Sequence, residues 1–190
     1  SDTSILLLHG RGLHPSEPNI IDPLRVDLIN VGYNVFSLQL PVLEKGKSYN
    51  EYVKIFKYSD TRIESALNYI DSKKIIIIAH SCGAHMLLSF IDNMGIGNIS
   101  GIVLLGAGAV DKGQAMKTDI NLSNYKIPVL NIYAEYDHNS VKQFADVLKL
   151  QYSISQDKYL NALEVNSADH NYKDQTYTLI ESVKKWLKAL

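Results

Sequence analysis

Residues 75–90 read IIIIAHSCGAHMLLSF: four isoleucines, then Ala79-His80-Ser81-Cys82-Gly83, then apolar residues at helical spacing with no linker between. The short β-branched run predicts a strand buried on both faces, and the stripe Ala84, Leu87, Leu88, Ile91 predicts a helix that starts where the strand stops. A chain that turns this sharply brings its backbone close to itself, so the residues two before and two after the corner must be small. Counted from Ser81 these are Ala79 and Gly83; counted from Cys82 they are His80 and Ala84, and an imidazole collides with the turn. The spacing selects Ser81 as candidate nucleophile over the single cysteine. Cys82 then sits at the helix N-terminus, where its backbone N–H can face a developing oxyanion. The plain alternative is that Ser81 only caps the helix, a role serine favours.

Five further apolar runs bounded by turn signals predict strands buried on both faces: 5–8 (ILLL), 35–40 (VFSLQL), 101–105 (GIVLL), 128–133 (PVLNIY) and 163–165 (LEV). Helical stripes alternate with them: Ile21, Leu24, Leu28, Val31; Ile63, Ala66, Leu67, Ile70; Val141, Phe144, Ala145, Leu148; and Ile180, Val183, Leu187, Leu190. Each stripe covers one helix face. Residues 42–50 and 107–126 are polar and contain glycine, and read as loops. Strand and helix alternating throughout imply an α/β fold, a mostly parallel six-stranded sheet between two helical layers. The 190 residues suit a single domain over 1–190.

Composition narrows the partners. The 19 Lys and Arg nearly balance 20 Asp and Glu, and no basic stripe recommends nucleic acid, so a small molecule or peptide is expected. Cys82 alone can form no intrachain disulfide, which fits a reducing, cytoplasmic compartment and is compatible with export. No apolar run approaches the ~20 residues of a transmembrane helix. Lys184, Lys185 and Lys188 offset the negative end of the last helix.

Ligands of open parallel sheets bind beyond the carboxyl ends of the strands. There the chain offers His9-Gly10-Arg11-Gly12 after the first run, Ser81 after the third, Asp137-His138 after the fifth and Asp169-His170 after the sixth. A serine hydroxyl needs a base, and the base needs a carboxylate to fix its tautomer; His170 and Asp137 supply both. Asp111 and Glu135 are competing acids. A metal site from Asp137, His138, Asp169, His170 and His9 lacks any H-x-x-x-H spacing and leaves the Ser81 corner unexplained. His9 and His80 read as structural residues bonded to neighbouring loops, His14 as exposed, and His85 as packed. GAGAV at 106–110 lacks the third glycine of a dinucleotide loop and reads as a tight turn.

With these residues in place, the chain resembles the α/β-hydrolase superfamily over nearly its whole length. AHSCG is similar to the nucleophile elbow G-x-S-x-G with alanine for the first glycine, HGRG looks like the oxyanion loop, IYAEYD resembles the segment carrying the triad acid, and ADHNY sits where the catalytic histidine is found. The resemblance implies a Ser81–His170–Asp137 triad, an oxyanion hole from the backbone N–H groups of Arg11 and Cys82, a small-molecule acyl substrate, and no metal or organic cofactor. It also implies a fold without the family's first two strands. With only about twenty residues between the fourth and fifth runs, no large cap insertion is expected. Thiol chemistry at Cys82 and a non-catalytic binding role on the same scaffold are the alternatives.

Overall fold

The computed structural model describes residues 2–117, 120–156 and 158–190. In chain order the elements are β1 (Thr3–Leu8), α1 (Ile21–Asn30), β2 (Asn34–Leu38), α2 (Tyr49–Val53), α3 (Phe56–Tyr69), β3 (Lys74–His80), α4 (Cys82–Met94), β4 (Ile99–Leu105), β5 (Val129–Ala134), α5 (Asn139–Ile154), β6 (Leu160–Val165) and α6 (Thr176–Leu187). The strands form one sheet in the order β2-β1-β3-β4-β5-β6, and every neighbouring pair is parallel. The fold is α/β, with the six strands expected and a sheet that is parallel throughout.

Successive strand residues point to opposite faces, so each central strand feeds two cores. Leu6, Leu8, Ile75, Ile77 and Ala79 pack with the buried sides of α3, α4 and α5. Ile5, Leu7, Ile76, Ile78, Val103 and Leu105 pack with Leu24 and Leu28 of α1 and Leu179, Val183 and Trp186 of α6. The sheet is the middle of three layers.

Several expectations are corrected. The runs at 35–40 and 163–165 are not buried on both faces: β2 is half-buried, and β6 is exposed along most of its length with only Val165 fully buried. Both are edge strands, where a neighbour is missing on one side. Helix α4 is buried nearly all round, from Cys82 to Leu88 and again at Phe90 and Ile91, rather than on one face. It packs against one face of the sheet with α3 beside it. Val31 and Leu190, counted into helical stripes, are exposed beyond the ends of α1 and α6. The segment read as loop at 42–50 leads into α2, whose start is held by Glu51 Oε2 accepting the Ser48 backbone N–H at 2.9 Å. In the expected loop 107–126 a single 3₁₀ turn covers Leu122–Tyr125; its residues 118 and 119 lie outside the described residues. Among the described residues no helix is long and apolar enough to cross a membrane.

Candidate active site

Because all strands run the same way, the residues following β1, β3, β4, β5 and β6 gather at one edge of the sheet. Ser81 leaves β3 with φ 51° and ψ −119°, a conformation side-chain-bearing residues rarely adopt. Its own N–H donates to Leu105 O at 2.8 Å, pinning the corner to the end of β4. Gly83 has no room for a side chain: a Cβ there would run into the His9 carbonyl oxygen and stand 2.9 Å from Leu8 O. Ala79, on the other side of the corner, is fully buried. The small-residue requirement thus has its origin in the approach of α4 to the end of β1.

Ser81 Oγ lies 2.8 Å from His170 Nε2, and His170 Nδ1 lies 2.6 Å from Asp137 Oδ1. Asp137 Oδ1 also accepts the His138 N–H at 2.9 Å and Oδ2 the Ala134 N–H at 3.3 Å. Burial works to raise the Asp137 pKa; the hydrogen bond and charge of His170 and the two backbone donors outweigh it and hold the carboxyl below its ordinary value. A carboxylate only accepts, so the Nδ1 proton is on His170 and Nε2 is free to receive the Ser81 proton. The three side chains nominated from strand ends meet in one hydrogen-bonded line. The competing acids are engaged elsewhere: Asp111 with Arg11, and Glu135 with the Ser167 N–H at 2.7 Å.

The His170 loop is held from several sides. Tyr172, fully buried, donates its hydroxyl to Ile132 O at 2.9 Å, and Asp169 Oδ1 accepts the N–H groups of Asn171 and Lys173. Ser167, Tyr172 and Asp174 all have positive φ. Gly106 closes the floor with φ 57°; a Cβ there would lie 2.9 Å from His170 Cε1. Gly106 and Gly108 both turn left-handed, as the tight-turn reading of GAGAV requires. Sequence reasoning missed the anchoring by Tyr172, whose only signal is an aromatic residue two positions after the candidate base.

Cys82 opens α4, so its N–H has no partner within the helix, and the cleft over Ser81 is lined by Gly10, Arg11, Ser81 and Cys82 together with His170. Among the described residues no hydrogen bond engages the N–H of Arg11 or of Cys82. The Cys82 thiol is buried, and burial pushes its pKa up to about 12, so it stays protonated and poorly nucleophilic.

The other histidines divide by environment. His9 accepts the Leu40 N–H on Nε2 at 3.0 Å and donates Nδ1–H to Gly10 O at 2.9 Å, shaping the loop after β1. His80 donates Nε2–H to His170 O at 3.2 Å. His85 accepts the Gly108 N–H on Nε2 at 3.0 Å, with Nδ1 against the Tyr49 hydroxyl at 3.1 Å. His14 is exposed. His138 packs its ring 4.9 Å from that of His170, and Asp137, His138 and His170 are the described residues whose ligand atoms lie close enough, within 4.8 Å, to hold a metal ion. His9 and Asp169 are not part of that group. The Asp137–His170 hydrogen bond already uses two of its three members.

Arg11 forms a two-pronged ion pair with Asp111, NH1 to Oδ2 at 2.6 Å and NH2 to Oδ1 at 2.9 Å, and the Tyr49 N–H donates to the same carboxylate at 2.5 Å. The Arg11 hydrogen bond holds the Asp111 pKa down at about 2. The pairing spans 100 residues and has no local sequence signal.

Two buried rings make the fold acid-sensitive. Burial, with the charge of His170 adding to it, lowers His80 to about 4 and His85 to about 3 from the ordinary 6.5. The unfolded chain takes up these protons near pH 6.5 and the folded chain resists them. Their contribution is therefore complete above 6.5 and is lost as pH falls toward those lowered values. Urea unfolding at about pH 5 should show roughly 2 kcal/mol less stability per ring than at neutrality, and His80→Gln should remove one share of that slope.

Comparison with known proteins follows the geometry. A predicted CIB-like hydrolase from Thermoplasma acidophilum has the same fold at TM-score 0.69 and 18% identity, covering 99% of this chain and 87% of its own. Est1E from Butyrivibrio proteoclasticus matches at TM-score 0.71 and 15% identity, over 100% and 89%. A Pyrococcus furiosus esterase matches at TM-score 0.72 and 16% identity, over 100% and 82%. At these identities the likeness establishes the fold alone. No protein with a curated description matches in sequence. Residues 15–173, from the loop after β1 to the turn beyond His170, match one family's sequence pattern, and the chain belongs to that family, described as alpha/beta hydrolase of unknown function (DUF900).

Proposed function

We propose that the protein is a serine hydrolase that cleaves a carboxylic ester, or a related thioester or amide, through an acyl-enzyme. The reading rests on one observation, the unbroken line from Ser81 Oγ through His170 to Asp137. As Ser81 attacks the carbonyl carbon, its proton passes to His170 Nε2 and the carbonyl electrons move to oxygen, where the N–H groups of Arg11 and Cys82 receive the negative charge. Collapse of the tetrahedral species expels the alcohol, which takes the proton back from His170. Water then repeats the sequence on the acyl-enzyme and frees the acid. Asp137, held ionised, stabilises the imidazolium formed in each half. No step calls for a metal or an organic cofactor.

The test is labelling of the folded protein by a fluorophosphonate, followed by mass-spectrometric location of the adduct. The adduct is expected on Ser81, with nitrophenyl esters hydrolysed by the unlabelled protein only. Iodoacetamide should leave the rate nearly unchanged, because the Cys82 thiol is buried and protonated. A folded protein that takes no label would instead favour a non-catalytic binding role.

A further inference from the structure

Two clefts meet at the Arg11–Asp111 pair. The one over Ser81 holds about 450 Å³ and has Leu13, Ala109 and Val110 in its walls. The other holds about 630 Å³ and is walled by residues 43–48 with Gly12 and Tyr52. Arg11 and Asp111 are the residues that line both. The wall between the clefts is therefore a pair of side chains, tying the loop after β1 to the loop after β4, with the start of α2 attached through the Tyr49 N–H.

This wall is a two-pronged ion pair that reaches solvent. The two side chains are 36% and 34% exposed, so water and salt reach the charges and screen them. Both side chains stand on loops, outside the strands. The two chambers also differ in chemistry: the first combines Leu13, Ala109 and Val110 with polar groups such as His138 and Asn171, whereas the second presents Glu44, Lys45, Lys47 and Ser48.

Resting on the serine-hydrolase reading of this site, we propose that the Arg11–Asp111 pair is a specificity gate. Closed, it confines substrates to the cleft over Ser81. Open, it admits elongated esters that are apolar next to the scissile bond and polar at the far end, the polar end lying along residues 43–48.

Asp111→Asn tests the gate, since it removes the charge facing Arg11 and keeps an oxygen that can accept the Tyr49 N–H. The readout is the rate at which Ser81 is labelled by a short ethyl fluorophosphonate and by one carrying a polyethylene glycol tail. In Asp111→Asn, folded by circular dichroism, the tailed-to-short ratio is expected to rise about fivefold. In the wild type, about 0.5 M sodium chloride should move the ratio in the same direction, and the variant should no longer respond. The wild-type salt series stands as a test even if the variant folds poorly. A ratio that is the same in both proteins and indifferent to salt, or that falls in the variant, overturns the gate while leaving the serine mechanism intact. Failure of the short probe to label folded wild type overturns the serine mechanism, and the gate with it.

Discussion

Ser81→Ala is expected to lower kcat for nitrophenyl esters by roughly 10⁴ to 10⁶, with whatever rate remains coming from binding and the oxyanion donors. In the proposed mechanism the hydroxyl supplies the electron pair that attacks, and it stands 2.8 Å from the His170 imidazole that would take its proton. Removing it leaves His170 with nothing to activate but water, which no side chain positions. Asp137→Asn should lower kcat by about 10⁴, because the amide presents a donor to Nδ1 and turns the imidazole to the wrong tautomer. Ser81→Gly separates chemistry from folding. At φ 51° a glycine relieves backbone strain of about 1 kcal/mol, so this variant should be inactive and slightly more stable than the wild type in urea unfolding. A Ser81→Ala protein that keeps ordinary turnover would end the assignment.

Gly83→Ala should be strongly destabilising. The added carbon meets backbone on two residues, the carbonyl oxygens of His9 and Leu8, and backbone cannot step aside as a flexible side chain can. Either α4 lifts from the sheet or the end of β1 is displaced, and we expect a loss of roughly 3 kcal/mol or more. The same displacement separates Arg11 from Cys82, the pair assigned to the oxyanion. Folded material should therefore label with a fluorophosphonate far more slowly than wild type, in contrast to Ser81→Gly, which takes no label and folds well. Normal stability and normal labelling together would show that the close approach at this corner is not required.

The central strands were legible in the sequence because burial on both faces leaves an uninterrupted apolar run, as in residues 75–79. The edge strands carry the same residue types but face solvent, and nothing within 163–165 announces that a neighbour is missing on one side. Helix α4 misleads in the opposite sense: its apolar stripe reads as one face, yet His85, Met86 and Phe90 between the stripe positions are buried too, His85 by accepting the Gly108 N–H. The short α2 carried a readable signal in Ser48 and Glu51, a serine followed three residues later by a glutamate. For the site, a rule of topology did most of the work, since parallel strands deliver their carboxyl ends to one edge and the polar residues there could be read off in order. What no local pattern carries is a contact between two loops far apart in the chain. The Arg11–Asp111 pair is of that kind, the Tyr172 anchor to β5 is likewise distant in sequence, and only the assembled fold brings these partners within reach.

The strand order gives the proposed nucleophile and base unequal footing. Ser81 rides on β3, an interior strand with two neighbours on one flank and three on the other, whereas Asp137 follows β5 and His170 follows the exposed margin strand β6. Elements with few buried side chains open more readily than core strands, and β6 is exposed along most of its length. If β6 loosens before the interior strands, the proposed hydrolase is expected to lose turnover at a lower temperature than the one at which the chain melts, a gap that parallel rate and circular-dichroism melts would measure.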